Sequence, residues 1–134
     1  MTDWTFPYYN ATDFEMIARC HAYAKLHNSG GGTRVFAIAV DKRGIVLAQR
    51  GNTYTKSHPK QARWSFLAKQ PERTFLHAEI SAVLAAMKTR KDIYKLYVVR
   101  VDSTGKMKDS KPCPVCQLML DTEFPHVIVV YGRE

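Results

Sequence analysis

Apolar positions recur along this chain with two periods, near 3.6 in some segments and 2 in others, and the change of period marks the elements. Thr12-x-x-Glu15 has the form of a capping box. Phe14, Ile17, Cys20 or His21, and Ala24 then recur at helical spacing until Asn28-Ser29-Gly30-Gly31-Gly32 ends the pattern, which predicts a first helix. Residues 34–40 and 44–50 are short apolar runs on either side of Asp41-Lys42-Arg43-Gly44, and two strands joined as an antiparallel hairpin account for both. Residues 77–88 read as a helix that is apolar nearly all round, from Ile80 to Met87, and such a helix is buried on most sides. Residues 93–101 alternate and are rich in β-branched and aromatic types, which predicts a strand. The polar stretch 102–111 with Gly105 predicts a loop. Pro114 sits where a first helical turn tolerates proline, and Val115, Leu118, Met119 and Leu120 supply a buried face for a third helix. Residues 126–131 give a last strand. The order helix, strand, strand, helix, strand, helix, strand implies a mixed sheet covered by helices, an α/β layered domain with four strands evident.

Two segments fall outside this scheme. Residues 1–10 carry Trp4, Phe6, Tyr8 and Tyr9 around Pro7 and predict an arm packed on the domain, ahead of a surface that stacks bases. Residues 53–76 form a basic insert with Lys56, Lys60, Arg63, Lys69 and Arg73 against the single acid Glu72, interleaved with His58, Trp64, Phe66 and Phe75. The insert is too long for an ordinary turn and predicts a loop with a short helix near 61–68. It is either a solvated charged face or a phosphate clamp, in which Lys56, Lys60 and Arg63 supply charge and Trp64 covers a base.

Composition narrows the class. At 134 residues with 46% hydrophobic types the chain has the length of one domain, 1–134, and can bury a core without staples. Its net charge of +8 favours phosphorylated or polyanionic partners. The start lacks the basic and apolar run of a signal peptide and no stretch has the length of a membrane span, so a soluble cytoplasmic protein is expected. Three cysteines, two of them in Cys113-x-x-Cys116, make a disulfide framework a poor reading.

The chemistry concentrates in two short stretches, Phe75-Leu76-His77-Ala78-Glu79 and Lys111-Pro112-Cys113-Pro114-Val115-Cys116. Cys113 and Cys116 are three apart at a helix start, where the dipole favours the thiolate that binds metal. A lone CxxC also suits a redox pair or a structural zinc knuckle, but the latter needs a fourth Cys or His. His77 offers a third ligand, while Cys20 falls among the apolar positions of the first helix as a buried inert thiol and His21 and His27 have no second ligand at metal spacing. Three ligands with the fourth position open are the arrangement of catalytic zinc, whose bound water ionises near neutral pH. Glu79 lies two residues beyond His77 and can take a proton from that water; by itself it would read as an acid favouring the helix dipole.

His77-Ala78-Glu79 followed by Pro112-Cys113-Pro114-Val115-Cys116 matches the H-x-E…P-C-x-x-C signature of zinc nucleobase deaminases. From about Phe14 to Tyr131 the chain resembles the cytidine and deoxycytidylate deaminase superfamily, and in particular its nucleotide-type members, phage-encoded ones included. The resemblance implies a three-layer α/β/α cytidine-deaminase-like fold and a hydrolytic deamination that releases ammonia. It implies one zinc per chain held by His77, Cys113 and Cys116 with water or hydroxide as fourth ligand, and Glu79 as proton shuttle. It further implies substrate contacts from Asn52, from the Ala78 backbone N–H, and from Ser110 and Lys111. The chain departs from the superfamily in ending at its fourth strand where a fifth is usual, which leaves a sheet edge to be tolerated, covered by the arm or paired with another subunit as a homo-oligomer. The basic insert before His77 looks like the nucleotide-type members. The leading expectation is deamination of a cytosine nucleotide such as dCMP. The alternatives are a deaminase of bases in nucleic acid, acting on tRNA adenosine or single-stranded DNA cytosine, and a non-catalytic zinc-binding module of the same fold.

Overall fold

The first helix begins one turn-start earlier than Thr12 suggests, and the reason is local chemistry. In the computed structural model, which describes residues 10–73 and 75–133, α1 spans Ala11–Leu26 and is capped by Asn10. The Asn10 Oδ1 accepts the Asp13 N–H at 2.8 Å while the Asp13 carboxylate accepts the Asn10 N–H at 3.2 Å, a reciprocal capping box. Thr12 and Glu15, the expected pair, are exposed. The buried face also differs from the expected one: Asp13, Met16, Ile17, Cys20 and Ala24 point inward, and Phe14 is left 60% exposed. Asp13 can be buried because Tyr97 donates its hydroxyl to the carboxylate at 2.6 Å and the Lys95 ammonium lies at 3.0 Å. The aromatic arm, with Trp4, Phe6, Tyr8 and Tyr9, lies outside the described residues.

The hairpin forms as the sequence predicts. Strand β1 (Arg34–Val40) pairs antiparallel with β2 (Val46–Gly51), with a bulge between Ala39 and Val40. The Asp41 carboxylate fixes the turn by accepting the N–H groups of Arg43 and Ile45. The other edge of β1 pairs antiparallel with β3 (Lys95–Val101). The far edge of β3 is shared by two pieces. Its first half pairs in parallel with β5 (Ile128–Tyr131), and its end pairs antiparallel with a strand of two residues, β4 (Met107–Lys108). The mixed sheet therefore has five strands rather than the four expected, the extra one cut from the stretch read as a loop. Two residues are too few to show a period.

Alternation along the central strands divides the core. Ile38 and Val40 of β1 and Tyr97, Val99 and Val101 of β3 face α1, together with Met16, Ile17, Cys20 and Ala24. Ala37 and Ala39 of β1 and Leu96 and Val98 of β3 face α3 (Ala78–Met87) and α4 (Pro114–Glu123). Small residues on both sides of that contact, Ala37 and Ala39 against Ala82 and Ala86, let α3 lie close to the sheet. The result is the expected α/β/α layering.

The insert also has internal order. Helix α2 (Pro59–Leu67) starts at His58, whose Nδ1 accepts the Lys60 N–H, and Pro59 opens it. Its inner face is Gln61, Trp64 and Ser65. Trp64 is 4% exposed within the core that includes α3 and α4, so it packs as a core residue and does not cover a base. The ends of the insert are tied together where Thr53 N–H donates to the Leu76 carbonyl and Leu76 N–H to the Lys56 carbonyl.

Candidate active site

Two helix starts meet on the same face of the sheet. His77 is the N-cap of α3 and Cys113 the N-cap of α4, and neither side chain caps its own helix. Both are thereby free to face each other. The His77 Nδ1 lies 3.4 Å from the Sγ of Cys113 and 3.4 Å from that of Cys116. All three donor atoms fall within 4.8 Å of one another. Tetrahedral bonds of about 2.3 Å to sulfur and about 2.0 Å to nitrogen place ligand atoms near these separations, so the cluster fits a zinc ion. The donors are also soft thiolate and imidazole, the types that select zinc over magnesium or calcium. Among the described residues no other group of three metal-competent side chains exists.

The thiols are unequal. A hydrogen bond from Cys116 is the largest influence on Cys113 and, with help from His77, pulls its thiol down to about 4 against the cost of burial. Burial pushes Cys116 well up, and the neighbouring Cys113 and Glu79 push it further. Burial would lower the His77 imidazole, but the hydrogen bond and charge of Cys113, together with Glu79, raise it on balance. The three donors thus hold their protons unequally, and a divalent cation entering the cluster displaces protons from it. Cys20, by contrast, is fully buried, donates to the Phe36 carbonyl at 3.1 Å, and is held protonated by burial, as befits an inert core thiol.

Glu79 sits in the first turn of α3, only 5% exposed. Burial, and then the charge of Cys113, pushes its carboxyl up to about 7. A carboxyl balanced near neutrality can both accept and return a proton. It lines a cavity of about 390 Å³ together with His77, Ala78 and Cys113. Ala78 is the first residue of α3, so its N–H has no partner within the helix.

Asn52 lines the same cavity and is 7% exposed. Its Oδ1 accepts the Val35 N–H and its Nδ2 donates to the Thr33 carbonyl, both at 2.9 Å, which fixes the orientation of the amide by the polarity of its two partners. His27 supports this corner: its Nε2 bonds the Asn52 carbonyl, and its ring packs so closely on Gly51 that a Cβ there would overlap it. Ser110 lines the cavity too, but its hydroxyl is spent on the sheet. It accepts the Arg100 N–H at 2.8 Å and donates to the Lys108 carbonyl at 2.7 Å, while its N–H meets the Gly132 carbonyl. Ser110 thus joins β4 to the end of β5 and delivers the chain to Pro112 and Cys113.

The basic residues at the cavity are not those the insert first suggests. Lys56, Lys60 and Arg63 are exposed and absent from the lining, and Arg63 lies over the Trp64 ring at 5.9 Å. Arg73, Arg100 and Lys111 line it instead, with Tyr54 and Phe75 in edge contact at 6.2 Å. Arg100 comes from the end of β3, where it is exposed. Arg73 stood among the insert's charges with nothing in the sequence to single it out.

An α/β/α domain that clusters an imidazole and two thiols beside a buried carboxyl at the wall of a cavity has the architecture of a zinc-dependent hydrolase. Its family is the one whose model is described as the cytidine and deoxycytidylate deaminase zinc-binding region, which matches residues 11–131. The chain belongs to that family and is a zinc-dependent nucleobase deaminase. Among solved structures it is similar to a point mutant of cytidine deaminase from Mycobacterium tuberculosis, at 20% identity over 87% of this chain and 88% of that one, with a TM-score of 0.48. No curated protein matches the chain by sequence. None of the described helices is long and apolar enough to cross a membrane.

Proposed function

We propose that the protein converts a cytosine nucleotide such as dCMP to the uracil nucleotide, with zinc held by His77 Nδ1, Cys113 Sγ and Cys116 Sγ. The observation that carries the nucleotide reading is the lining of the cavity: inner walls of His77, Ala78 and Glu79, and a rim on which Arg73, Arg100 and Lys111 outnumber the one exposed acid, Glu72. A neutral nucleoside has no use for three cations, whereas a phosphate does. Bound in the cluster, zinc supplies an acidified water as nucleophile at neutral pH. Glu79 would take one proton from the water as its oxygen bonds to the amine-bearing carbon and deliver it to the adjacent ring nitrogen, then move the remaining hydroxyl proton to the amine, so that the C–N bond breaks, the carbonyl forms and ammonia leaves. The Ala78 N–H donates to the base carbonyl. Asn52, already anchored to Thr33 and Val35, has one amide hydrogen and one lone pair left for the sugar. Ser110 and Lys111 complete the wall, Lys111 on the phosphate side. Incubating the purified protein with nucleosides, nucleotides and oligonucleotides, and following ammonia and mass, tests this. Release of ammonia from a cytosine mononucleotide is the expected result, and its absence across the panel overturns the reading.

One observation favours a second reading, a base within a polynucleotide. A shallower cleft lined by Gly32, Asp102, Ser103 and Lys108 shares Thr33 and Arg100 with the cavity, so a strand could run on past the active site. That reading predicts oligonucleotide binding that weakens steeply with salt. The outer edge of β5 carries no strand among the described residues, which suits an enzyme that assembles with copies of itself.

A further inference from the structure

The insert reaches the metal cluster from behind, through its own helix. An N-cap side chain ordinarily accepts a backbone N–H from the first turn. His77 does not, because its ring faces the two sulfurs. Its own backbone N–H is received by a side chain sixteen residues upstream: Gln61 Oε1, at 3.0 Å. Gln61 is fully buried on α2. Its Nε2 donates to Ser65 Oγ at 3.0 Å and to the Arg73 carbonyl at 3.4 Å, and Ser65 Oγ donates to the same carbonyl. The partners on the two sides have opposite polarity, so the amide fits in one orientation only. A buried amide is costly unless every group is matched, and an apolar residue would fill this inward position of α2 at no such cost.

We infer that Gln61 is a positioning residue for His77. It holds the backbone of the N-cap in the extended conformation, φ −78° and ψ 151°, that aims Nδ1 at Cys113 and Cys116. The insert is therefore part of how the metal site is built, and the Gln61–Ser65 pair ties the segment leading into His77 to α2. This rests on the reading of His77, Cys113 and Cys116 as the zinc ligands.

Zinc content and chelator competition on the whole protein test it. One zinc per wild-type chain is required first; its absence refutes the ligand assignment and not merely the role of Gln61. Gln61→Met keeps length and volume but loses both hydrogen-bonding groups, and Gln61→Asn stays polar while drawing the oxygen back by one methylene. Each is expected to weaken zinc binding about tenfold, the lower end of what a lost supporting partner costs a metal site. In the zinc-loaded variants kcat falls while KM changes little, since Gln61 does not line the cavity. Val99→Ala, buried on the α1 side of the sheet, measures the effect of lost stability alone and is expected to lower the melting midpoint with zinc affinity intact. Wild-type zinc affinity in Gln61→Asn overturns the inference, and so does a loss in Gln61→Met no larger than in Val99→Ala. The Asn variant decides if the Met variant does not fold.

Discussion

Glu79→Gln separates the catalytic role proposed for this carboxyl from its effect on folding, and the two are expected to move in opposite directions. Glutamine has nearly the same shape but cannot carry the proton, so turnover should fall by about 10² to 10⁴ with zinc retained. Stability of the metal-free protein should rise. Glu79 is 5% exposed, and burial followed by the charge of Cys113 raises its carboxyl from 4.5 to about 7. At about 1.4 kcal/mol per tenfold change in proton affinity, the ionised form is roughly 3 kcal/mol less stable in the fold than in the unfolded chain. A carboxyl raised in this way does no harm below pH 4.5, where both states are protonated, and loses its stabilising proton as pH climbs through about 7. Urea unfolding of metal-free wild type and Glu79→Gln under reducing conditions is therefore expected to show the variant ahead by up to about 3 kcal/mol at pH 8, and the two nearly equal at pH 4.5. In the zinc-loaded protein the gain should shrink, because a nearby dication favours the carboxylate. A variant less stable than wild type at pH 8, or a gain of equal size at both pH values, would refute the burial argument. Turnover within tenfold of wild type would refute the proton role.

Asp13→Ala should cost about 3 to 5 kcal/mol near pH 7, because it leaves Lys95 and Tyr97 without their buried partner and removes half of the α1 cap. Burial tends to raise the Asp13 carboxyl, but hydrogen bonds from Tyr97, Lys95 and Asn10 outweigh it and hold it below the ordinary value of 3.8. Its stabilisation is thus present above that value and lost as pH falls through the lower folded one, so denaturant melts at pH 7 and pH 3 should show the wild-type advantage narrowing in acid. Arg73→Ala should raise KM for dCMP about tenfold, roughly 1.4 kcal/mol, while leaving deoxycytidine kinetics nearly unchanged. Equal effects on both substrates would remove the phosphate from that side of the cavity.

Several features of this protein are fixed by residues close together in the chain, and these could be read directly. The H-x-E triplet and the PCxxC motif each sit at a helix start, and the helix start itself turns His77, Glu79, Cys113 and Cys116 toward a common side. The apolar runs at 34–40 and 44–50 and the alternation at 93–101 marked strands, and in the structure Ile38 and Tyr97 take one face of the sheet and Ala37 and Leu96 the other. Other features depend on which distant segments meet. Asp13 is a polar residue at a helix start until Lys95 and Tyr97 arrive from β3 to neutralise and bury it, and that burial is what turns Phe14 outward. β4 exists only because β3 leaves an edge unfilled beyond β5, with Ser110 bridging the gap. The insert's charges gave no sign that Arg73 would join Arg100 and Lys111 at the cavity, nor that Gln61 would accept the His77 N–H. Periodicity, caps and ligand spacing are local and survive in the sequence as patterns. The partner of a buried polar group is set by the packing of whole elements, so only the tertiary structure decided it.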